Sequence, residues 1–80
     1  MNIADNTEKL INDVLDTIEL FIEQDYKDIE KTFEDYTIRV YMTTDRDESI
    51  VEWDYDLKNA DSYLINEQEV IDRVYDCISY

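Results

Sequence analysis

An excess of fifteen negative charges on eighty residues is the condition that any fold of this chain has to meet. Twenty-two Asp and Glu stand against seven Lys and Arg, so every compact state brings like charges together. The chain folds only if its apolar residues fall into periodic stripes that close over a core and leave the acids outside. Its apolar fraction of 44% suffices for one such core, which makes a single domain spanning residues 1–80 the expected organisation. A core of this size typically yields only about 3–5 kcal/mol of net stability, which leaves little room for an interior catalytic cleft. Solubility of a small domain needs a net charge of roughly 2–8 in magnitude. A larger excess brings long-range attraction to cationic partners and faster association. The partner this implies is a basic protein surface. Direct binding to DNA, RNA or an anionic membrane is disfavoured, because it relies on Lys and Arg to neutralise phosphates.

The apolar stripes are present. From Asn6 onward, Leu10, Ile11, Val14, Leu15, Ile18, Phe21 and Ile22 recur at three- and four-residue steps, with Asn12, Asp16, Glu19 and Glu23 on the opposite face. This predicts an amphipathic helix capped by Asp5, Asn6 or Thr7. Tyr26, Ile29 and Phe33 continue the stripe and extend the helix toward Phe33, with a break near Gln24 and Asp25. Between residues 36 and 43 the period becomes two: Ile38, Val40 and Met42 face one way, and Thr37, Arg39, Tyr41 and Thr43 the other. After a polar turn over residues 44–48, Val51, Trp53 and Tyr55 alternate with Glu52, Asp54 and Asp56, so an antiparallel hairpin is expected. Without glycine, a left-handed turn residue has to be Asn or Asp, with Asp45 or Asp47 the candidate. Residues 58–61 form a further turn, and residues 62–65 read as a short third strand at the sheet edge. Asn66 then caps a final helix, Glu69 completes a capping box, and Ile65 with Val70 form a hydrophobic staple; Val70, Ile71, Val74, Tyr75 and Ile78 form its buried stripe. The order is α-β-β-β-α, an α+β fold with a three-stranded antiparallel sheet packed against helices.

Catalytic and metal chemistry find few footholds. No glycine means no phosphate-cradling loop and no dinucleotide fingerprint. No histidine removes the usual base for a Ser or Cys nucleophile. Cys77, the single cysteine, excludes an internal disulfide and sits near a helix carboxyl end, where the dipole disfavours a thiolate; it reads as an ordinary core or boundary residue. Asp45, Asp47 and Ser49 have the opening spacing of a calcium loop, but Ile50 and Asp56 stand where glycine and a bidentate glutamate are needed. The expectation is a protein without enzymatic activity, metal or cofactor. Residues 1–5 lack the basic and apolar runs of a signal peptide, and no apolar stretch is long enough to span a bilayer, which points to the cytosol.

The candidate interaction surface is the acidic side of the hairpin. Glu52, Asp54 and Asp56 project from one strand face at about 6.6–6.8 Å intervals, twice the strand rise, and Asp45, Asp47 and Glu48 adjoin them at the turn. Such an anionic ridge suits a groove built from Arg and Lys to hold nucleic acid. A solvated strand face in so acidic a chain has the same appearance. A second acidic run, Glu23, Asp25, Asp28, Glu30, Glu34 and Asp35, reads as a solvated helix face, with Glu23 pairing Lys27 at helical spacing. Tyr36, Tyr41, Tyr55, Tyr63 and Tyr80 exceed what a small core requires and suit stacking against arginine-rich surfaces, Tyr41 and Tyr55 beside the ridge in particular. Trp53 shares a face with Val51 and belongs to the core.

The element order, the segment Asp35-Tyr36-Thr37-Ile38-Arg39-Val40 and the segment Ser62-Tyr63-Leu64-Ile65-Asn66-Glu67 leading into an acidic helix together give a pattern, over residues 35–78, that resembles the small acidic anti-CRISPR proteins of phages infecting low-GC Gram-positive bacteria, particularly the type II-A inhibitors that mimic DNA. The resemblance implies an inhibitor in the bacterial cytoplasm that occupies the region of a guide-loaded Cas nuclease reading the protospacer-adjacent motif, with Asp45, Asp47, Glu48, Glu52, Asp54 and Asp56 replacing DNA as partners of the nuclease's basic residues. Other readings are an inhibitor of a restriction enzyme or DNA glycosylase, and an acidic interaction module or antitoxin-like regulator whose apolar surface dominates binding.

Overall fold

The computed structural model describes residues 2–78; Tyr80, grouped above with the exposed aromatics, and Met1 lie outside the described residues. The elements are α1 (Ile3–Glu23), β1 (Ile29–Thr32), β2 (Tyr36–Asp45), β3 (Glu48–Leu57) and α2 (Glu67–Ile78), which is the expected α-β-β-β-α order. The strands form one antiparallel sheet in the order β1-β2-β3, with β2 central.

The stripe of α1 builds the core as its period requires. Leu10, Ile11, Val14, Ile18 and Phe21 are buried against Tyr36, Ile38 and Val40 of β2, Trp53 of β3, and Val70 and Val74 of α2. Each large aliphatic side chain so buried contributes roughly 1.5–3 kcal/mol. Leu15 is half-buried and Ile22 exposed, so the stripe is narrower than its apolar residues suggest. On α2 only Val70 and Val74 are buried; Ile71 and Ile78 are half-buried and Tyr75 is 40% exposed.

The helix starts earlier than expected. Asn2 is the cap, its Oδ1 accepting from Asp5 N at 2.8 Å, whereas Asn6 and Thr7 are buried one turn inside. Those two side chains have another task. Asn6 Nδ2 donates to the Leu64 carbonyl at 3.0 Å, and Thr7 Oγ1 accepts from Asn66 N at 2.9 Å while donating to Ile3 O at 2.6 Å. They tie the start of α2 to the first turns of α1. Asn66 caps α2 through Glu69 N at 3.1 Å, but only this half of the capping box forms, because Thr7 already takes Asn66 N and Arg73 lies 3.3 Å from the Glu69 carboxylate.

The third strand is not residues 62–65. They form turn and coil after β3, with Ser62 N and Tyr63 N both bonded to Asn59 O and the Leu64 carbonyl bonded to Asn6, so these three backbone groups find partners outside any ladder. The strand is instead β1, within the segment expected to be helical. Helix α1 ends at Glu23 because Asp25 and Tyr26 both take positive φ, 60° and 62°. Asp25 N bonds Ile22 O at 3.2 Å and Tyr26 N bonds Phe21 O at 3.0 Å, the paired closure of a Schellman motif, and the Tyr26 ring meets Phe21 edge-on at 5.6 Å. The chain then reverses and pairs Ile29 with Val40. Lys27 is off the helix, and no ion pair joins it to Glu23 among the described residues.

The hairpin turn is shorter than expected. Asp45 pairs Glu48 directly, leaving a two-residue loop in which Arg46 and Asp47 sit at φ 51° and 69°. Positive φ at both central positions is the type I′ signature and matches the twist of the flanking strands. Arginine is a poor occupant of that conformation. Replacing the pair by Asn-Gly (R46N/D47G), which leaves the net charge unchanged, raises the thermal midpoint by about 4–8 °C, the shift for about 1 kcal/mol in a domain of this size. An unchanged or lower midpoint by circular dichroism shows that the turn is not strained.

Tyr36, expected to be exposed, is fully buried at the head of β2, and its hydroxyl donates to Asp13 Oδ2 of α1. Burial, reinforced by the hydrogen bond to Asp13, pushes this hydroxyl far above the ordinary tyrosine value near 10. The folded state therefore keeps a proton that the unfolded state releases above about pH 10, and stability falls as pH rises past that point. In Tyr36→Phe the slope of denaturant-derived stability against pH above about 10 becomes shallower. It does not vanish, because burial also raises the hydroxyls of Tyr55, Tyr63 and Tyr75. A wild-type slope retained in the variant excludes Tyr36 as its source.

Candidate functional site

Register decides what the acidic strand face becomes. β2 and β3 pair Thr37 with Asp56, Arg39 with Asp54 and Tyr41 with Glu52, while β1 pairs Glu30 with Arg39. Paired residues share a face, and since Ile38, Val40 and Trp53 point into the core, these point outward. The three ridge residues Glu52, Asp54 and Asp56 do line one face as their spacing requires. They are not three free carboxylates. Arg39 Nε lies 2.7 Å from Asp54 Oδ1, Nη2 lies 2.7 Å from Asp56 Oδ2, and Nη1 lies 3.7 Å from Glu30 Oε1. The hydrogen bond to Asp56 raises the guanidinium above its ordinary value by more than desolvation lowers it. Arg39 thus bridges all three strands and fixes two of the ridge carboxylates, whereas Glu52, beside Tyr41, has no ion pair among the described residues.

Arg39 was legible as an outward residue of its strand, but only the 39–54 register discloses its partners. That register follows from the two-residue turn.

The turn acids lie where the sequence places them. Asp45, Asp47 and Glu48 are exposed and, among the described residues, enter no ion pair. Thr44 and Ser49 are exposed as well, so both faces of the hairpin end stand clear of the helices. Asp45 faces Glu48 across the last register pair, an arrangement of like charges that costs stability and leaves a concentrated negative potential. The free anionic surface of the hairpin is therefore the tip with Glu52, and Asp54 and Asp56 form a braced extension of it.

The two tyrosines of the candidate site part company. Tyr41 is on the outer face beside Glu52. Tyr55 is on the inner face, half-buried, with its ring stacked on Trp53 at 6.2 Å and 17°. It does not join the acidic face but lines a groove between β3 and α2. Sequence reasoning placed Trp53 in the core correctly, at 8% exposure, but gave no sign that its neighbours leave an opening. Tyr63 is half-buried, and Cys77 is exposed rather than part of the core.

Two further cations are also used within the fold. Arg73 of α2 binds Glu8 of α1 through two nitrogens, one at 3.1 Å, and this hydrogen bonding holds the Glu8 carboxyl below its ordinary range. Lys9 lies 3.8 Å from Asp35 and 5.1 Å above the Tyr36 ring. Among the described residues no group of three or more His, Cys, Asp or Glu is arranged to hold a metal ion, and no helix is long and apolar enough to cross a membrane.

With Arg39 and Arg73 engaged locally and the tip uncompensated, screening of long-range repulsion dominates the salt response. Raising sodium chloride from about 0.02 M to about 0.3 M, which shortens the Debye length severalfold, increases the thermal midpoint. A midpoint that falls over this range shows that the Arg39 and Arg73 pairs outweigh the repulsion. No protein-family model, curated protein or solved structure matches this chain.

Proposed function

We propose that the protein is a DNA mimic that binds the basic nucleic-acid-binding site of another protein through the tip and outer face of its hairpin and excludes nucleic acid from it. The observation that supports this most directly is the tip. Asp45, Asp47 and Glu48 are exposed and unpaired at the end of a projecting hairpin, with only the Thr43–Ile50 pair between Asp45–Glu48 and Glu52 on the outer face that also carries the Arg39-braced Asp54 and Asp56. Carboxylates at strand intervals can replace phosphates as partners of Arg and Lys, and a net charge of −15 accelerates the encounter. The bracing by Arg39 also holds Asp54 and Asp56 in place before the partner arrives, which lowers the ordering cost of binding. The most specific form of the reading is an anti-CRISPR protein that blocks the motif-reading region of a guide-loaded Cas nuclease. A restriction enzyme or DNA glycosylase is the next target class. No catalytic role is assigned to the chain.

The test is competition. Guide-loaded Cas nuclease, a restriction enzyme and a DNA glycosylase are each challenged with labelled duplex in the presence of the protein. Displacement of duplex from one of them is expected, with D45N/D47N/E48Q/E52Q weaker by at least about tenfold and less sensitive to salt, since it lacks the steering charges. Equal competition by this variant removes the tip from the mechanism, and no displacement from any of the three removes DNA mimicry against these classes. Arg39→Gln, which adds one net negative charge to the outer face, speeds association at low salt.

A further inference from the structure

The sheet is covered unevenly. Helix α1 packs on β1, β2 and α2, and α2 rests on α1. Between α2 and the inner face of the edge strand β3 there remains an open groove of about 560 Å³, floored by Trp53, Tyr55 and Leu57 and walled by Ile71 and Tyr75, with Leu64 at its rim. That volume lies within the roughly 300–1,000 Å³ of specific binding clefts. Tyr75 and Leu64 are 40% and 53% exposed, which leaves the apolar lining open to an incoming group.

Two properties of the lining select the occupant. The first is aromatic: Trp53 stacks on Tyr55 at 6.2 Å and meets Tyr75 at 5.9 Å and 48°, and with Tyr63 these rings line the groove around one largely buried indole. The second is charge. No Lys or Arg lines the groove, whereas Glu67, at the start of α2, lines it and lies close enough to help burial raise the Tyr55 hydroxyl. Asp54 also borders the groove, with its carboxylate held by Arg39. An anion is repelled here, and a second copy of the chain brings a further −15 of charge toward the same surface. A side chain with an apolar stem and a planar cationic head answers the rings and Glu67 together.

We propose that this groove anchors an arginine side chain presented by an exposed segment of the basic partner protein, the guanidinium lying against the Trp53, Tyr55 and Tyr75 rings and toward Glu67. The proposal deepens the function argued above and rests on it for the partner's basic character. It assigns the two surfaces different tasks. The tip sets the approach and its salt dependence, and the groove, where Trp and Tyr meet Arg in a partly dry cleft, sets residence time.

Trp53 is the only tryptophan in the chain, so its emission and indole N–H resonance report on the groove alone. The probe is a nine-residue peptide alternating serine and arginine, with its citrulline counterpart as the neutral isostere, titrated at about 0.15 M salt, where exposed charges are largely screened. Expected is a saturable shift of the indole resonance with the arginine peptide and none with the citrulline peptide. Tyr75→Ala and Glu67→Gln, both changes at exposed positions, weaken it about tenfold each. The tip variant D45N/D47N/E48Q weakens binding at low salt but leaves the indole shift at saturation unchanged. A shift confined to the amides of Asp45, Asp47 and Glu48 overturns the groove while leaving the acidic tip intact, and no shift at either place overturns both. An equal response to citrulline refutes selection of a cation. An indole shift that depends on protein concentration without peptide identifies a second copy as the occupant and equally overturns the proposal.

Discussion

The contact between α1 and the central strand carries the rest of the structure. Leu10, Ile11, Val14, Ile18 and Phe21 meet Tyr36, Ile38 and Val40 with almost no residual exposure, and this burial is what the repulsion among 22 acids has to be set against. Of the polar side chains in the core, Thr17, Thr7 and Asn6 are neutral and donate or accept hydrogen bonds, Thr17 Oγ1 to the Asp13 carbonyl, Thr7 with Ile3 and Asn66, Asn6 to Leu64, while Trp53 Nε1 has no partner among the described residues. No carboxylate is fully buried among the described residues. Excluding charge from the interior avoids a desolvation penalty of several kcal/mol per ion in a domain with little net stability to lose. The cost is that the whole negative charge resides on the surface.

How that surface charge is distributed depends on two arginines. Arg39 gathers Glu30, Asp54 and Asp56 across three strands, and Arg73 gathers Glu8 and Glu69 across the two helices. Exposed pairs of this kind add little to stability individually. Their geometric effect is larger, because each holds carboxylates from separate elements in fixed relation. Within the hairpin the potential is thereby moderated over the middle of the sheet, whereas at the tip Asp45, Asp47 and Glu48 have only Arg46 among them.

The parts of this fold that a sequence shows are those fixed by neighbours in the chain. The start of α2 was readable because Asn66, Glu69, Ile65 and Val70 are all within one turn of one another. The end of α1 was not. Without glycine or proline to mark the break, Asp25 and Tyr26 supply the left-handed residues, stabilised by the Tyr26–Phe21 ring contact, while Ile29 and Phe33 continue the three- and four-residue spacing from a strand and a loop. Residues 62–65 erred in the other direction: Tyr63 and Ile65 alternate like a strand but pack on the core from a segment held by turns and by Asn6. The candidate site divides in the same way. Which carboxylates occupy the outer face follows from period two, but their engagement by Arg39 depends on register, and the opening beside Trp53 depends on where α2 comes to rest. Neither is a local property.

Strand β3 joins these two surfaces, and its position explains why they coexist. It is ten residues long, and among the described residues no strand pairs with its outer edge, so its backbone donors and acceptors offer a template for self-association. Acidic side chains at alternate positions oppose pairing between identical copies, since each copy would bring Glu52, Asp54 and Asp56 against the same residues. The same charges leave the edge approachable by a cationic segment. On the proposed reading, one strand then discriminates by charge on its outer face and by shape on its inner one. The acidic face alone would accept any basic surface. A groove with one indole, three phenol rings and a single free carboxylate accepts far fewer, so selectivity among basic partners has to come from the inner face.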